Sequence, residues 1–212
     1  MSQHDALVAL LLERSYREGD FLLTSGARST FYLDAKQVTY HPGGMVLVGS
    51  CMMQLVEEFA IEAVGGLTMG ADAIVASTVF ASARAGRGIA GFVVRKEPKS
   101  HGLAKWVEGI DPKGKRVAIV DDVITSGKSA LKAVSAARSA GATVVLVVGL
   151  VDREQGGKEM IEADGVVFRA LATISEIRDA ANAAGSHATG SHPTGSHATG
   201  THAPRPEPPY PV

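Results

Sequence analysis

The segment from Val117 to Gly141 constrains the fold of this chain more than any other. Val117-Ala118-Ile119-Val120 is a short apolar run bounded by charge on both sides, the pattern of a buried strand. Two adjacent carboxylates, Asp121 and Asp122, stand where that strand is expected to end. Val123-Ile124-Thr125-Ser126-Gly127-Lys128-Ser129 follows. Ala130 to Ala140, rich in Ala, Leu and Lys, then reads as a helix ended by Gly141. A small-residue turn between a buried strand and a helix start aims several backbone N–H groups at one anion, and the helix dipole adds to the field. Ionised carboxylates only accept hydrogen bonds, so a pair beside that anion suits the vicinal hydroxyls of a sugar. The combination implies a site for a phosphorylated pentose.

Two simpler readings of the same residues fail. Gly127-Lys128-Ser129 resembles the end of a G-x-x-x-x-G-K-[ST] loop, but that motif requires glycine at position 122, where this chain has aspartate. A carboxylate there would repel nucleotide phosphates. A helix cap needs one acidic or hydroxyl side chain and accounts for neither the doubled carboxylate nor the Thr-Ser-Gly after it.

The surrounding chain alternates strands and helices. Residues 2 to 17 read as an amphipathic helix with Leu7, Leu10 and Leu11 on one stripe. Phe21 to Lys36 reads as short extended segments around a Ser25-Gly26 turn. Gly44 to Ala60 places Met45, Val48, Met52, Leu55, Val56 and Phe59 at helical spacing, as a core face. Ala63 to Gly66 and Ala90 to Val94 are strands separated by a helix from Gly70 to Ala85. Lys105 to Val107 is a brief return strand before the turn Asp111-Pro112-Lys113-Gly114. Thr143 to Leu150 is an apolar central strand, followed by a short helix near Lys158 to Ala163 and a last strand from Val166 to Ala170. This order predicts an α/β fold with a mainly parallel sheet. Ligands of such sheets sit beyond the carboxyl ends of the strands. Arg95, Asp121 and Arg153 all fall just past expected strand ends, so one site can draw on all three.

Composition narrows the setting. Of 212 residues 45% are hydrophobic, enough for a sizeable core, and the net charge of −1 gives no global attraction to nucleic acid or membrane. The single cysteine, Cys51, cannot form an internal disulfide, which fits a reducing cytoplasm. It lies in an apolar stretch and reads as a core residue. His4 and Asp5 precede the apolar Ala6 to Leu12 where a signal peptide would carry basic residues, so this is expected to be an N-terminal helix. No apolar run approaches the roughly 18 residues of a membrane span.

After Ala184 the character changes. Ser186-His187-Ala188-Thr189-Gly190 opens a five-residue repeat that recurs at Ser191 and Ser196 and trails into Thr201-His202. Six of nine prolines lie beyond residue 192, and no Leu, Ile, Met or Phe follows Ile177. Residues 1–184 are therefore expected to form the folded domain and 185–212 a disordered, low-complexity tail, because the tail cannot offset its ordering entropy by burial. The spaced histidines also admit a metal-binding reading, but metal sites need a fixed geometry.

At Val120 to Ser129 the chain resembles the phosphoribosyl-pyrophosphate (PRPP) signature of the type I phosphoribosyltransferases. Other segments resemble one branch, the orotate phosphoribosyltransferases. Arg95-Lys96-Glu97-Pro98-Lys99-Ser100-His101-Gly102 is similar to its R-K-x-x-K-x-H-G loop, and Leu23 to Asp34 to its N-terminal S-G-x-x-S segment. Gly65 to Asp72 resembles its pyrophosphate-loop region, and Val151-Asp152-Arg153 the segment that meets orotate. The resemblance implies the type I phosphoribosyltransferase fold with a small N-terminal hood. It also implies transfer of phosphoribosyl from PRPP to orotate, with Mg²⁺ on the pyrophosphate and a homodimer whose loops reach each other's sites.

By the same resemblance Arg95, Lys96, Lys99 and His101 contact PRPP, with Lys99 carrying the main catalytic role. Asp121 and Asp122 grip the ribose, while Val123, Ile124, Thr125, Ser126, Gly127, Lys128 and Ser129 surround the 5′-phosphate. Thr125 and Arg153 meet orotate, because a guanidinium binds a carboxylate bidentately. A surface arginine paired with Asp152 or Glu154 is the plainer reading of Arg153, and a solvated basic loop that of residues 95–101. Two departures stand out. Many family members carry lysine where this chain has Thr24 and Met69, which leaves Lys36 or Arg28 to compensate. The remaining rivals are a purine-specific transferase, a non-catalytic regulator on the same fold, and a histidine-rich metal carrier.

Overall fold

In the computed structural model, which describes residues 1–22, 28–97 and 106–188, the alternation from Ala63 onward builds a six-stranded sheet in the order β5-β4-β3-β6-β7-β8. Its strands are β3 (Ala63–Leu67), β4 (Ala90–Val94), β5 (Val107–Gly109), β6 (Arg116–Ile124), β7 (Thr143–Asp152) and β8 (Val167–Thr173). Only β5 runs antiparallel. The helices are α3 (Pro42–Glu58), α4 (Asp72–Arg84), α5 (Lys128–Ser139), α6 (Gly157–Ala163) and α7 (Ile174–Ala188). Before them, α1 (Gln3–Arg14), the antiparallel pair β1 (Tyr16–Leu22) and β2 (Arg28–Leu33), and the short α2 (Lys36–Thr39) make the N-terminal hood.

From β3 the chain winds outward to β4 and β5, then returns to the other side of β3 and winds through β6, β7 and β8. The winding direction reverses between β3 and β6. A crevice opens at that switch point, beyond the carboxyl ends of the two strands. Small residues keep these strands close: a Cβ on Gly66 would fall 2.1 Å from the Val120 carbonyl oxygen. Apolar layers cover both faces, with Val64, Ala118, Val120 and Leu146 on one side and Phe92, Ile119, Ala133 and Val147 on the other. Each fully buried aliphatic side chain contributes about 1.5–3 kcal/mol. Cys51 belongs to this core, as its apolar neighbours suggested, and burial pushes its thiol pKa up. No helix among the described residues is long and apolar enough to cross a membrane.

Several boundaries differ from the sequence expectation. The first helix ends at Arg14 rather than 17, because Tyr16 to Leu22 pairs with β2; at its start Ser2 and Asp5 form a reciprocal capping box. The return strand is Val107–Gly109 rather than 105–107, paired with Phe92 to Val94. The signature strand does not end at Val120 but continues through both carboxylates to Ile124, since Asp121 pairs with Gly149 and Ile124 with Asp152 of β7. Helix α7 was not expected; it packs on α1 and reaches Ala188, past the boundary placed at 184. The repeats from 189 onward lie outside the described residues.

Candidate active site

Asp121 and Asp122 are 6% and 9% exposed, buried for charged residues. The strand supplies two amide donors to them: the Asp122 N–H donates to Asp121 Oδ1 (3.1 Å) and the Val123 N–H to Asp122 Oδ1 (2.9 Å). Across the switch point, the turn after β3 is so close that a Cβ on Gly70 would lie 2.7 Å from Asp122 Oδ1 and 2.8 Å from Asp121 Oδ1. Lys36, from the hood, places its ammonium on Asp122 Oδ2. Burial, then the neighbouring Asp122 charge, pushes the Asp121 carboxyl up to about 7, with Lys36 working in the opposite direction. Two adjacent buried carboxyls need donors for their remaining oxygens, and sugar hydroxyls are donors.

Thr125 to Ser129 wraps a hollow of about 80 Å³ lined by Asp121, Val123, Ile124, Thr125, Ser126, Gly127, Lys128 and Ser129. Gly127 makes the turn. Its φ of +74° is strained for any other residue, and a Cβ there would sit 3.0 Å from the Gly157 carbonyl oxygen. No side chain caps α5, whose first residues Lys128 and Ser129 line the hollow, so its first-turn N–H groups are available as anion donors. Larger hollows, of 410 and 490 Å³, lie beside β5–α5 and α6–β8. Neither is lined by Asp121, Asp122 or the Thr125–Ser129 turn.

Arg153 follows β7, and its backbone N–H donates to the Ile124 carbonyl (2.9 Å), which sets it beside Thr125. It does not pair with its acidic neighbours. Asp152 accepts the Glu154 N–H (2.8 Å), and Glu154 bonds Ser175. The guanidinium rests instead on Phe31 of the hood, 4.8 Å from the ring centre. Arg178 of α7 lies 5.0 Å from the same ring. Arg153 Nε is buried without a hydrogen-bond partner among the described residues, and burial lowers its pKa. An arginine remains charged regardless, so this is a cation held ready for an anionic ligand.

The basic segment is only partly placed. Arg95 is committed to the stem at the outer edge of the sheet: its N–H donates to the Trp106 carbonyl (2.9 Å) and its Nη1 to Glu108 on β5 (2.6 Å). The Lys96 carbonyl accepts from Lys132 Nζ of α5 (2.6 Å), which also lies 5.3 Å from the Trp106 ring centre. Within one copy of the chain, the Arg95 guanidinium is therefore held by Glu108 and not by the acidic pair. Lys99 and His101 lie outside the described residues, as does the Thr24-Ser25-Gly26 turn. Of the two residues proposed to replace missing lysines, Arg28 pairs with exposed Asp20, whereas Lys36 reaches the acids. Met69 is exposed beside Gly70.

Phe31 and Gly70 stand in the sequence only as members of the 23–34 and 65–72 segments, with no individual role, and Arg178 carries no signal of its own. Gly70 had a visible signal in the small-residue run Gly70-Ala71. Arg178 went unread because Ile174 and Ile177, which have helical spacing and are buried, were not taken as a helix.

Comparison with known proteins identifies the family. A family model described as the phosphoribosyl transferase domain matches residues 63–178. The orotate phosphoribosyltransferase of Aquifex aeolicus is 45% identical over 180 residues, covering 84% of this chain and 98% of that protein. The crystal structure of Mycobacterium tuberculosis H37Rv orotate phosphoribosyltransferase in complex with Fe(III) dicitrate is similar with a TM-score of 0.76 at 36% identity, covering 83% of this chain and 99% of that one. The same enzyme in complex with PRPP gives a TM-score of 0.72 at 34% identity, with 83% and 99% covered. This chain belongs to the phosphoribosyltransferases and, among them, to the orotate phosphoribosyltransferase family.

Proposed function

We propose that this chain joins orotate to the ribose of PRPP, releasing pyrophosphate and giving orotidine 5′-monophosphate, a step of pyrimidine biosynthesis. The observation that carries this reading is the convergence of Asp121 and Asp122 with the amide-lined hollow at the β3–β6 switch point. The hollow takes the 5′-phosphate through backbone N–H groups and the hydroxyls of Thr125, Ser126 and Ser129. The acids take the ribose hydroxyls. Held at both ends, the sugar presents its anomeric carbon in a fixed orientation.

In the reaction the bond from that carbon to pyrophosphate oxygen breaks and its electron pair leaves with pyrophosphate, while the orotate ring nitrogen bonds to the carbon and gives up its proton to the released pyrophosphate or to water. Positive charge builds on the ring, which the acids stabilise, and negative charge on the leaving group. Arg153 is the partner for the orotate carboxylate, its Nε desolvated and unclaimed among the described residues. Thr125, beside it, supplies a hydroxyl to the base. Lys99 is assigned the leaving-group charge, and Arg95, Lys96 and His101 the diphosphate. Since the Arg95 side chain and the Lys96 backbone are anchored at the outer sheet edge, this assignment fits delivery of the segment's cations into a second subunit. Exposed Tyr40, Val46 and Phe80, on or beside the packed helices α3 and α4, offer apolar surface for such a homodimer.

Mg²⁺ fits the site as a passenger of the substrate, since a hard cation takes oxygen ligands, the diphosphate provides them, and Asp122 already answers Lys36. When bound it supplies Lewis-acid stabilisation of the departing pyrophosphate. A buried single cysteine accords with a cytoplasmic setting. Residues 1–184 with the end of α7 make up the catalytic unit, and the repeats beyond are given no part in the reaction. The test is orotate-dependent release of pyrophosphate from PRPP with and without Mg²⁺. Release with orotate but not with purine bases supports the reading, and its absence contradicts it.

A further inference from the structure

We propose that Lys36 is a positioning residue of this site: its ammonium holds the Asp121–Asp122 pair in the ionised, oriented form that accepts ribose hydroxyls. The inference rests on the reading of the acidic pair as the sugar site. It arises from a pairing between residues 86 positions apart, one in the hood and one in the sheet.

Two neighbouring buried carboxylates lose hydration and repel each other. The two amide donors of the strand orient one oxygen of each but bring no net charge. Lys36 brings that charge, and its backbone is fixed in order to do so. It opens α2 between Ala35 and Val38, 1% and 0% exposed. Asp34 Oδ1 accepts the Lys36 N–H (3.2 Å), and Asp34 Oδ2 accepts from Gln37 Nε2 (3.1 Å), which locks the turn from which the side chain departs. The Lys36 side chain is 43% exposed and that of Asp122 12%, so the pair borders an opening and is not sealed in the core.

Among the described residues, the charged groups acting here are Asp34 and Lys36 from the hood and Asp121 and Asp122 from β6. The β3–α4 turn contributes Gly70, which has no charge, and Asp72 on α4 is engaged by the Thr68 hydroxyl (2.7 Å). Burial works against the Lys36 ammonium, but the contact with Asp122 and the fields of Asp122, Asp34 and Asp121 outweigh it and raise its pKa. Lys36 therefore stays charged where Asp121 titrates.

The experiment is steady-state kinetics of the full chain with PRPP varied at saturating orotate and Mg²⁺, from mildly acidic to mildly alkaline pH. Wild type, Lys36→Met and Lys36→Arg are compared. Without Lys36 the Asp121 carboxyl holds its proton to higher pH. Lys36→Met should raise the KM for PRPP about tenfold near neutrality, equivalent to about 1.4 kcal/mol, with a smaller change in kcat. It should also move the acid limb of kcat/KM up by about one pH unit. Lys36→Arg should restore both, and thermal melting of each variant identifies any that fails to fold. If Lys36→Met misfolds, Lys36→Gln replaces it in the same assay. An active Lys36 variant with an unmoved acid limb and unchanged KM overturns the inference alone. Wild-type protein without PRPP-dependent turnover overturns the sugar-site reading and the inference with it.

Discussion

The guanidinium carbon of Arg153 lies 4.8 Å from the centre of the Phe31 ring, so a side chain at the end of β7 is set in place by the hood. Cation–π contact of this kind is worth about 0.5–2 kcal/mol, and here it leaves the guanidinium edge for a ligand. Arg153→Ala should raise the KM for orotate roughly tenfold to a hundredfold, from the loss of a charged hydrogen-bonded pair worth about 1.5–3 kcal/mol, while the KM for PRPP changes little. Phe31→Leu should give a weaker shift in the same direction. Titrating orotate at fixed PRPP checks both, and an unchanged orotate KM in Arg153→Ala removes the base-binding assignment.

Gly70 is a second point of precise fit. A methyl group there would lie under 3 Å from an oxygen of each acid, and the carboxylates cannot retreat without leaving their amide donors. Gly70→Ala should therefore lower kcat/KM for PRPP at least about tenfold, with a stability loss of only about 1–3 kcal/mol. Kinetics beside thermal denaturation separates the two effects. Full activity in Gly70→Ala would show that the acids need not hold this arrangement.

The acidic pair also makes stability depend on pH. The Asp121 carboxyl is raised from 3.8 to about 7 in the folded chain, chiefly by burial. The folded state thus binds this proton more tightly than the unfolded state. The resulting stabilisation is complete at low pH and is lost as pH rises through about 7, where the fold must carry a buried charge. Asp121→Asn, which cannot ionise, should melt higher than wild type at alkaline pH by an amount on the order of 1–3 kcal/mol, or roughly 3–10 °C. The difference should shrink as pH falls. Melting curves without ligand across pH provide the check, and a variant less stable than wild type at alkaline pH contradicts it.

How much of this was legible in the sequence depends on how local the determinant is. The 117–129 segment announced itself because a strand, two acids and a glycine turn are contiguous, and the strand from Ala90 to Val94 was read at its true bounds. The extent of β6 was not legible, since charge argues against a buried strand. The Lys36 counter-charge and two strand amides answer Asp121 and Asp122 there. Phe31 beneath Arg153, Gly70 against the acids, and Arg178 on the unexpected α7 depend on contacts between distant segments. No local periodicity encodes them. Lys36 stood in the sequence beside Arg28 as an equal substitute for missing lysines, and the fold distinguishes the two.

Lys99 carries the catalytic assignment that rests most on family resemblance. Lys99→Ala should reduce kcat by about 10²–10³, the loss of about 2.7–4 kcal/mol of transition-state stabilisation, by analogy with removal of an oxyanion donor. Binding of PRPP should suffer less. Single-turnover kinetics separates the chemical step from binding, and unchanged turnover would transfer the role to another residue.

The account turns on the acids and the amide cradle holding one phosphorylated pentose. Calorimetric titration of PRPP with Mg²⁺ into wild-type protein and into the Asp121→Asn, Asp122→Asn double variant tests this most directly. Saturable binding to wild type, lost or weakened at least about a hundredfold in the variant, is the expected result. Equal binding to both, or none to wild type, would contradict it.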